Sequence, residues 1–359
     1  MNRSPVRVLL AEDSGLMRLI LSDILSQDER LELIDTAEDG KAAMEKVRAL
    51  QPDVVLCDLV MPKYDGLYLV REIMKECPRP VVLLSSLDKG DPLAIQALMA
   101  GAVDFVGKPK MKAVSHIRTL QSHINEKVYQ AARVDVSKIK PVTAGSNAAR
   151  LFSAPLGKNY GIICIAASTG GPTAVESVLS QLPDNLSVPV VVVQHMPAMF
   201  LQSFKDRLQS QFPNKKIAIP ANQQVLEAGI WIAPGTTNLS MSRNHQSGTV
   251  HFLYSPETYP EYNFPSANCL FHAAAKVFGR KAIGIILTGM GADGTTGLAH
   301  IYEQGGYTIA QDKDSSVVYG MPMAAFKAGA VRRVLPLQEI IPHTIGVLQN
   351  SSLSAMSQV

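Results

Sequence analysis

The chain has 359 residues, of which 47% are hydrophobic and 18% charged, and its formal net charge is +3. This length exceeds what one hydrophobic core usually organises, so two globular domains are expected. The small net charge gives no indication of a nucleic-acid-binding or membrane surface. The four cysteines form no CxxC pair, which favours free, buried thiols in a reducing compartment.

The N-terminal apolar run is interrupted by Glu12 and Asp13, so it is too short for a secretion signal. No stretch approaches the roughly 20 apolar residues that a membrane-spanning helix needs. We therefore expect a cytoplasmic protein.

The first third of the chain alternates short apolar runs with helical patterns. The predicted strands are Val6–Leu10, Leu31–Ala37, Val54–Cys57, Val81–Ser85 and Asp104–Val106. The predicted helices are Gly15–Gln27, Gly40–Leu50, Gly66–Glu76, Pro92–Ala100 and Met111–Ala131. This alternation predicts a doubly wound parallel sheet.

A segment rich in Ser, Ala, Gly and Pro follows and is typical of a linker. The predicted organisation is a first domain over residues 1–125, a linker over 126–157 and a second domain over 158–350. Strand–helix alternation resumes in the second domain, which predicts a second doubly wound sheet.

The predicted strands of the second domain are Gly161–Ala167, Pro189–Val193, Ile217–Pro220, Ile230–Ala233, Ala282–Thr288, Tyr307–Ala310 and Arg333–Leu335. Two further runs, Asn238–Ser242 and Thr249–Tyr254, flank a polar segment and predict a β-hairpin. Helices are expected to begin after Gly171, Pro197, Pro265, Gly294 and Gly320.

Polar side chains end the strands of the first domain. Glu12 and Asp13 follow one strand, Asp58 another, and Ser85 and Lys108 stand at the ends of two more. Because parallel strands end at one edge of a sheet, these groups are expected to lie together. Three carboxylates and a lysine suit a divalent cation and a phosphoryl group. The alternative is that each acid is only a helix cap or turn residue.

The segments LLAEDSGLMR, LCDLVMPKYDG, LLSS and DFVGKP resemble the response-regulator receiver family over roughly residues 5–125. The resemblance implies phosphorylation of Asp58 by a histidine kinase, with Mg²⁺ held by Glu12, Asp13 and Asp58. It also implies that Ser85 and Lys108 contact the phosphoryl group and that Phe105 is the switching aromatic residue.

Three residues of nucleophile or proton-transfer type end strands of the second domain. Ser168 lies between a strand and TGGP, which opens a helix, so main-chain N–H groups beside it can stabilise an oxyanion. His195 directly follows PVVVVQ, and Asp293 lies in GMGADG. Together they predict a nucleophile, a general base and an orienting acid. The alternatives are a serine cap, a packed histidine and a turn aspartate.

GMGADG also fits the dinucleotide-binding pattern GxGxxG between a strand and a helix, with Asp312 about 20 residues on. Too few residues follow it for the usual remaining strands. This alternative also leaves Ser168 and His195 without roles.

AASTGGP, VVQHMP, IAPG, ILTGMGADG and TIAQDKDSSVVYGMP resemble the catalytic domain of the CheB protein-glutamate methylesterase family over roughly residues 158–345. The resemblance implies a Rossmann-like α/β esterase domain after the receiver-like domain. It implies Ser168 as nucleophile, His195 as base and Asp293 as orienting acid, with oxyanion contacts near Thr169, His195 and Met290. The reaction it implies is hydrolysis of glutamyl methyl esters on chemoreceptors without a cofactor, and deamidation of receptor glutamines.

Two departures from that family are present. Ala166 stands where the family usually has glycine, and Phe264-Pro265-Ser266-Ala267-Asn268 stands where Arg-Pro-Ser-Val-Asp is frequent. The missing Arg and Asp are expected to remove two charges near the substrate cleft, which affects substrate choice more than chemistry. A receiver that controls a non-enzymatic binding domain is the alternative function.

Overall fold

The computed structural model describes residues 4–85, 92–108, 117–139, 160–259 and 264–349, with the side chains of 117–120 excepted. The chain divides into two compact units, Met1–Pro141 and Val142–Val359. The start of the predicted helix Met111–Ala131 and most of the predicted linker lie outside the described residues.

The first unit contains five strands and five helices among its described residues. The strands are β1 (Val6–Ala11), β2 (Leu31–Ala37), β3 (Val54–Asp58), β4 (Val81–Ser85) and β5 (Asp104–Gly107). The helices are α1 (Gly15–Ser26), α2 (Gly40–Leu50), α3 (Gly66–Glu76), α4 (Pro92–Met99) and α5 (Ile117–Ala131). Every predicted element of this unit is present, with ends shifted by at most two residues where both ends are described.

The strands form one parallel sheet in the order β2-β1-β3-β4-β5. Strands β3 and β4 are buried along their whole length, as expected when helices cover both faces of a parallel sheet. The chain passes from β2 to β3 across β1, so β1 and β3 flank the switch point where such sheets build sites. The carboxylates after β1 and at the end of β3 lie at that point.

Helix starts in this unit are set by short polar caps. Asp39 accepts hydrogen bonds from the main-chain N–H groups of Lys41 and Ala42, and Asp65 accepts one from Tyr68. These carboxylates satisfy helix N–H groups that have no partner within the helix. Asp39 and Asp65 are helix caps and are separate from the strand-end acids.

The second unit contains nine strands and six helices among its described residues. The strands are β6 (Ile162–Ala167), β7 (Val190–Gln194), β8 (Ile217–Ala218), β9 (Ile230–Ile232), β10 (Asn238–Arg243), β11 (Val250–Ser255), β12 (Ala282–Ile286), β13 (Tyr307–Gln311) and β14 (Arg333–Leu335). The helices are α6 (Gly171–Ser180), α7 (Ala198–Gln211), α8 (Ala267–Phe278), α9 (Thr295–Glu303), α10 (Met321–Lys327) and α11 (Leu337–Gln349).

Seven of these strands form a parallel sheet in the order β14-β13-β12-β6-β7-β9-β8, and β10 and β11 form an antiparallel hairpin. Strand β6 lies between β7, which follows it, and β12, which comes much later in the chain, so β6 marks the switch point. Helix α8 and the hairpin contribute to a core that includes Trp231, Phe252 and Phe271.

Three sequence predictions differ from this unit by two residues or more, and the first is that β8 ends at Ala218 rather than Pro220. Strand β12 ends at Ile286 rather than Thr288, because the main-chain N–H of Thr288 donates to the side-chain oxygen Oε1 of Gln311 instead of to a main-chain carbonyl. Helix α11 was not predicted, because it contains Pro342 and proline usually interrupts a helix. Its apolar face is nevertheless packed in the core, with Ile341 and Ile345 fully buried.

Helix α5 continues across position 125, and the division of the chain after Pro141 falls within the predicted linker 126–157. The exact bounds of the domains stay a prediction. No helix within the described ranges is long and apolar enough to cross a bilayer.

Candidate functional site

The first unit brings its three predicted acids together. Carboxylate oxygens of Glu12, Asp13 and Asp58 lie within 4.8 Å of one another. Glu12 and Asp58 are 0% and 3% exposed, whereas Asp13 is exposed. A compact set of carboxylate oxygens with one open side fits Mg²⁺, which binds through a few carboxylates and keeps several waters.

Lys108 lies directly after β5 and reaches both buried acids. Its Nζ is 2.7 Å from Asp58 Oδ2 and 2.9 Å from Glu12 Oε2. Its main-chain N–H donates to the carbonyl of Ser85 at 2.9 Å, which fixes where the side chain starts. One ammonium therefore faces two buried carboxylates.

The electrostatics of this pocket favour an added cation. Burial raises the pKa of Asp58, and the hydrogen bond and charge of Lys108 offset this only in part. Burial also raises the pKa of Glu12. Burial would lower the pKa of Lys108, but its bonds to Asp58 and Glu12 outweigh that effect and raise it. The carboxylates thus carry more negative charge than Lys108 balances.

Ser85 and Phe105, which lie on the neighbouring strands β4 and β5, are buried, at 3% and 6% exposure. The end residue of β4, Ser85, pairs in register with Gly107 of β5. Lys127 lies with Nζ 5.4 Å from the centre of the Phe105 ring and donates to the Phe105 carbonyl at 3.0 Å. Lys127 was not predicted from the sequence, because α5 brings it to β5 from 22 residues away.

The second unit places its three predicted residues after neighbouring strands. Ser168 follows β6, His195 follows β7, and Asp293 follows β12. His195 Nε2 lies 2.8 Å from Asp293 Oδ2. Ser168 N–H donates to the Thr288 carbonyl at 3.0 Å. The sheet edge therefore holds a serine turn between a histidine and its acid partner.

Asp293 sits in a cradle of donors at the start of α8. Its carboxylate accepts bonds from Ser266 Oγ at 3.0 Å and from the main-chain N–H groups of Ala267 at 2.6 Å and Asn268 at 3.0 Å. The N–H of Gly294 donates at 2.9 Å. A helix N-terminus favours a negative charge at this place.

These donors keep Asp293 ionised. Burial would raise its pKa, but the hydrogen bond and charge of His195 and the N–H groups of Ala267 and Asn268 outweigh burial and lower it. An ionised acid orients an imidazole and stabilises its protonated form, which is the third role of a catalytic triad.

Among the described residues, no hydrogen bond joins Ser168 Oγ to His195. Because Nε2 of His195 faces Asp293, Nδ1 is the ring nitrogen left for proton exchange with Ser168. Catalytic hydrogen bonds are commonly long before substrate binds, so this geometry is compatible with a nucleophile–base pair.

Two glycines shape the serine turn. Gly170 has φ +71°, and a Cβ there would lie 2.6 Å from Val317. A Cβ at Gly289 would lie 2.7 Å from Ser168 Cβ. Only glycine allows this tight strand-to-helix turn, which explains why TGGP follows the serine.

The two residues expected to support an oxyanion lie beside this turn. Thr169 is 4% exposed, and its carbonyl accepts a bond from Thr288 Oγ1 at 3.0 Å. Half-buried Met290 follows Gly289, whose carbonyl accepts from Met321 N–H at 2.9 Å. Their contacts with a reacting oxygen stay a prediction.

The altered segment 264–268 has a structural role that the sequence did not suggest. Asn268 is 1% exposed, and its Oδ1 accepts from Thr296 Oγ1 and from Gly297 N–H, both at 2.9 Å. The Asn268 side chain therefore stabilises the first turn of α9, while its main-chain N–H donates to the Asp293 carboxylate. The Asn268 side chain is thus enclosed between α8 and α9, and the effect of the two missing charges on substrate choice stays a prediction.

The GxGxxG pattern, GMGADG, belongs to the loop that carries Asp293. A pyrophosphate would need the N–H groups at the start of the following helix. Here Gly294 N–H already donates to Asp293, so the loop's own carboxylate takes that donor. Among the described residues, two strands of the sheet, β13 and β14, follow this loop in the chain, which also disfavours a dinucleotide fold.

Comparisons with known proteins identify the family of the chain. The family model for CheB methylesterase matches residues 163–344, and that for the response regulator receiver domain matches residues 8–118. The chain belongs to the CheB methylesterase family. A receiver unit followed by a CheB catalytic unit confirms the two α/β domains and the resemblances found in the sequence.

Individual relatives cover nearly the whole chain. It is 37% identical to a protein-glutamate methylesterase/protein-glutamine glutaminase of Desulfitobacterium hafniense, over 97% of this chain and 98% of that protein. It is 38% identical to the enzyme of the same name in Salmonella typhimurium, over 94% and 95%. The crystal structure of the Thermotoga maritima CheB methylesterase catalytic domain matches with a TM-score of 0.50 and 34% identity, covering 52% of this chain and 98% of that one.

Proposed function

We propose that this protein is a phosphorylation-regulated protein-glutamate methylesterase that hydrolyses glutamyl methyl esters on chemoreceptors and deamidates receptor glutamines. The observation that carries the proposal is the 2.8 Å contact between His195 and a buried, ionised Asp293 beside the Ser168 turn. The matching family and the printed names of its relatives supply the substrate class. A receiver-controlled binding protein without catalysis would not need this arrangement.

Ser168 Oγ attacks the ester carbonyl while His195 takes its proton, and an oxyanion forms at the carbonyl oxygen. Main-chain N–H groups near Thr169, His195 and Met290 stabilise that oxyanion. The ester C–O bond breaks, His195 returns the proton, and methanol leaves. Water then attacks the acyl-enzyme with His195 again as base, releasing glutamate and free Ser168. An amide substrate follows the same steps and releases ammonia.

In the receiver unit, Asp58 is the phosphate acceptor and a chemotaxis histidine kinase is the donor. Glu12, Asp13 and Asp58 would hold Mg²⁺, which would supply charge neutralisation for phosphoryl transfer to Asp58. Lys108 and Ser85 contact the phosphoryl oxygens. Phe105 is the switching aromatic residue, whose side chain changes position when Asp58 is phosphorylated. The esterase reaction needs no cofactor, and a cytoplasmic location is part of this proposal.

The test measures methanol release from methyl-labelled chemoreceptor membranes by the wild type and by Ser168→Ala. Ser180→Ala is the matched control, because Ser180 ends the helix that Ser168 precedes. We expect release by the wild type and Ser180→Ala and none above background by Ser168→Ala. Covalent labelling of Ser168 by a serine-directed phosphonate should follow the same pattern. Equal release by Ser168→Ala would contradict the proposal.

A further inference from the structure

Gln194 connects the two turns that carry the nucleophile and the base. It is the last residue of β7, directly precedes His195 and is 1% exposed. Its Nε2 donates to the Ser168 carbonyl at 2.9 Å and to the His195 carbonyl at 3.3 Å. Two carbonyl acceptors on the same side fix the orientation of this amide, because the reversed amide would face oxygen with oxygen.

The other atom of this amide shows that the arrangement is tightly constrained. Gln194 Oε1 is buried and has no hydrogen-bond partner among the described residues. A Cβ at Gly171 would lie only 2.1 Å from it, so the amide fits only because residue 171 is glycine. Leaving a buried acceptor unpaired costs free energy, so the two hydrogen bonds made by Nε2 must outweigh that cost to hold the amide in this orientation.

Those bonds control a peptide plane at the nucleophile. The Ser168 carbonyl accepts from Gln194 Nε2 and also from Gly171 N–H at 2.7 Å. In a trans peptide the carbonyl and the following N–H point in opposite directions. Fixing the Ser168 carbonyl therefore fixes the direction of the Thr169 N–H, which belongs to the residue after the nucleophile. In strand–serine–helix turns this N–H is an oxyanion donor.

We propose that Gln194 is a positioning residue, which aims the Thr169 N–H at the oxyanion and holds the Ser168 turn against the His195 turn. This inference rests on the proposed role of Ser168 as nucleophile. Gln194 does not touch the substrate, since its amide is enclosed behind the turn. Its loss should lower the rate of bond formation at Ser168 more than it weakens substrate binding.

The test is Gln194→Met in the full chain, which keeps the length of the side chain and removes both N–H donors. Gln181→Met is the matched control: Gln181 is 7% exposed, and its Nε2 donates to the Ser177 carbonyl at the far end of α6. For each protein we would measure the rate of Ser168 labelling by a serine-directed phosphonate. Turnover and KM for methanol release, and the thermal midpoint, complete the set.

For Gln194→Met we expect labelling and turnover to fall about 10- to 100-fold, while KM changes less than about threefold. Gln181→Met should label at the wild-type rate. Should Gln194→Met not fold, Gly171→Ala replaces it, because the new Cβ displaces the same amide. Wild-type labelling by Gln194→Met, or equal losses in both glutamine variants, would overturn the inference. Labelling without methanol release by the wild type would instead count against the proposed substrate.

Discussion

Asp58 and Asp293 lie at the carboxyl edges of two parallel sheets, yet their surroundings have opposite effects. Asp58 ends β3 and Asp293 lies in the loop after β12, and both are buried beside a switch point, at 3% and 1% exposure. Asp58 shares one lysine with Glu12 and has a raised pKa. Asp293 faces His195 and four further donors and has a lowered pKa.

This difference shows that the fold supplies the place and the local donors determine the chemistry. A carboxylate with too few donors attracts a cation and keeps an oxygen for a phosphoryl group. A carboxylate surrounded by donors is held as an anion, which orients its neighbour and stabilises the neighbour's protonated form. Replacing the carboxylate by a neutral amide should therefore change the stability of the two units in opposite directions.

The largest effect is expected for Asp293→Asn. An amide would turn N–H groups towards the N–H groups of Ala267, Asn268 and Gly294. Turnover should fall about 10³- to 10⁴-fold, and the second unit should lose about 2–4 kcal/mol of stability. Methanol release and hydrogen exchange of the β12 amides measure the two losses. Unchanged exchange of these amides would contradict the claim that the hydrogen bonds donated to Asp293 stabilise the second unit.

Lys108→Met should destabilise the first unit by about 2–3 kcal/mol at pH 7, because it leaves Glu12 and Asp58 without their cation. Both carboxyl groups have raised pKa values, so they take up protons early as the pH falls. The loss should therefore shrink as the pH falls through those values. Hydrogen exchange of the β3 amides between pH 7 and pH 5 tests this.

Arg48→Met is the control for that experiment, because it breaks an exposed ion pair with Glu76 in the same unit. It should change exchange little at either pH. A Lys108→Met loss that is independent of pH would show that Lys108 acts through packing.

The sequence predicted the strand-end residues well because their positions follow from apolar runs. Asp58 and His195 each stand at the end of such a run, and parallel strands bring run ends to one edge. The donors to Asp293 were not predictable in this way. Asn268 reaches it from 25 residues away, through the packing of α8 against the β12 loop. Gln194 differs from these donors, because its place at the end of the apolar run VVVVQ is visible in the sequence. A buried polar side chain usually has a hydrogen-bond partner, so this position indicates a structural contact.

Asp58→Asn should have a smaller effect of the opposite sign to Asp293→Asn. A raised pKa means that folding disfavours the ionised form, so a neutral amide should stabilise the first unit at pH 7. Lys108 keeps Glu12 as its partner, and the gain should be about 1 kcal/mol. Exchange of the β3 amides should slow. Faster exchange would mean that Lys108 already compensates Asp58 fully.

The smallest effect is expected for Asn268→Asp. A carboxylate accepts the same two bonds from Thr296 and Gly297, and its side chain stays enclosed. Turnover and KM for methanol release should both remain within about threefold of the wild type. A large fall in KM would show instead that the charge at position 268 is felt by the substrate.

The most direct test of the account follows phosphoryl transfer and methanol release in the same samples. Wild type, Ser168→Ala and Asp58→Asn are incubated with methyl-labelled chemoreceptor membranes, Mg²⁺ and a labelled small phosphodonor. We predict that Ser168→Ala takes up phosphate like the wild type and releases no methanol, and that Asp58→Asn takes up none and releases methanol only at the basal rate. Stimulation of Asp58→Asn by the phosphodonor, or methanol release by Ser168→Ala, would contradict the account.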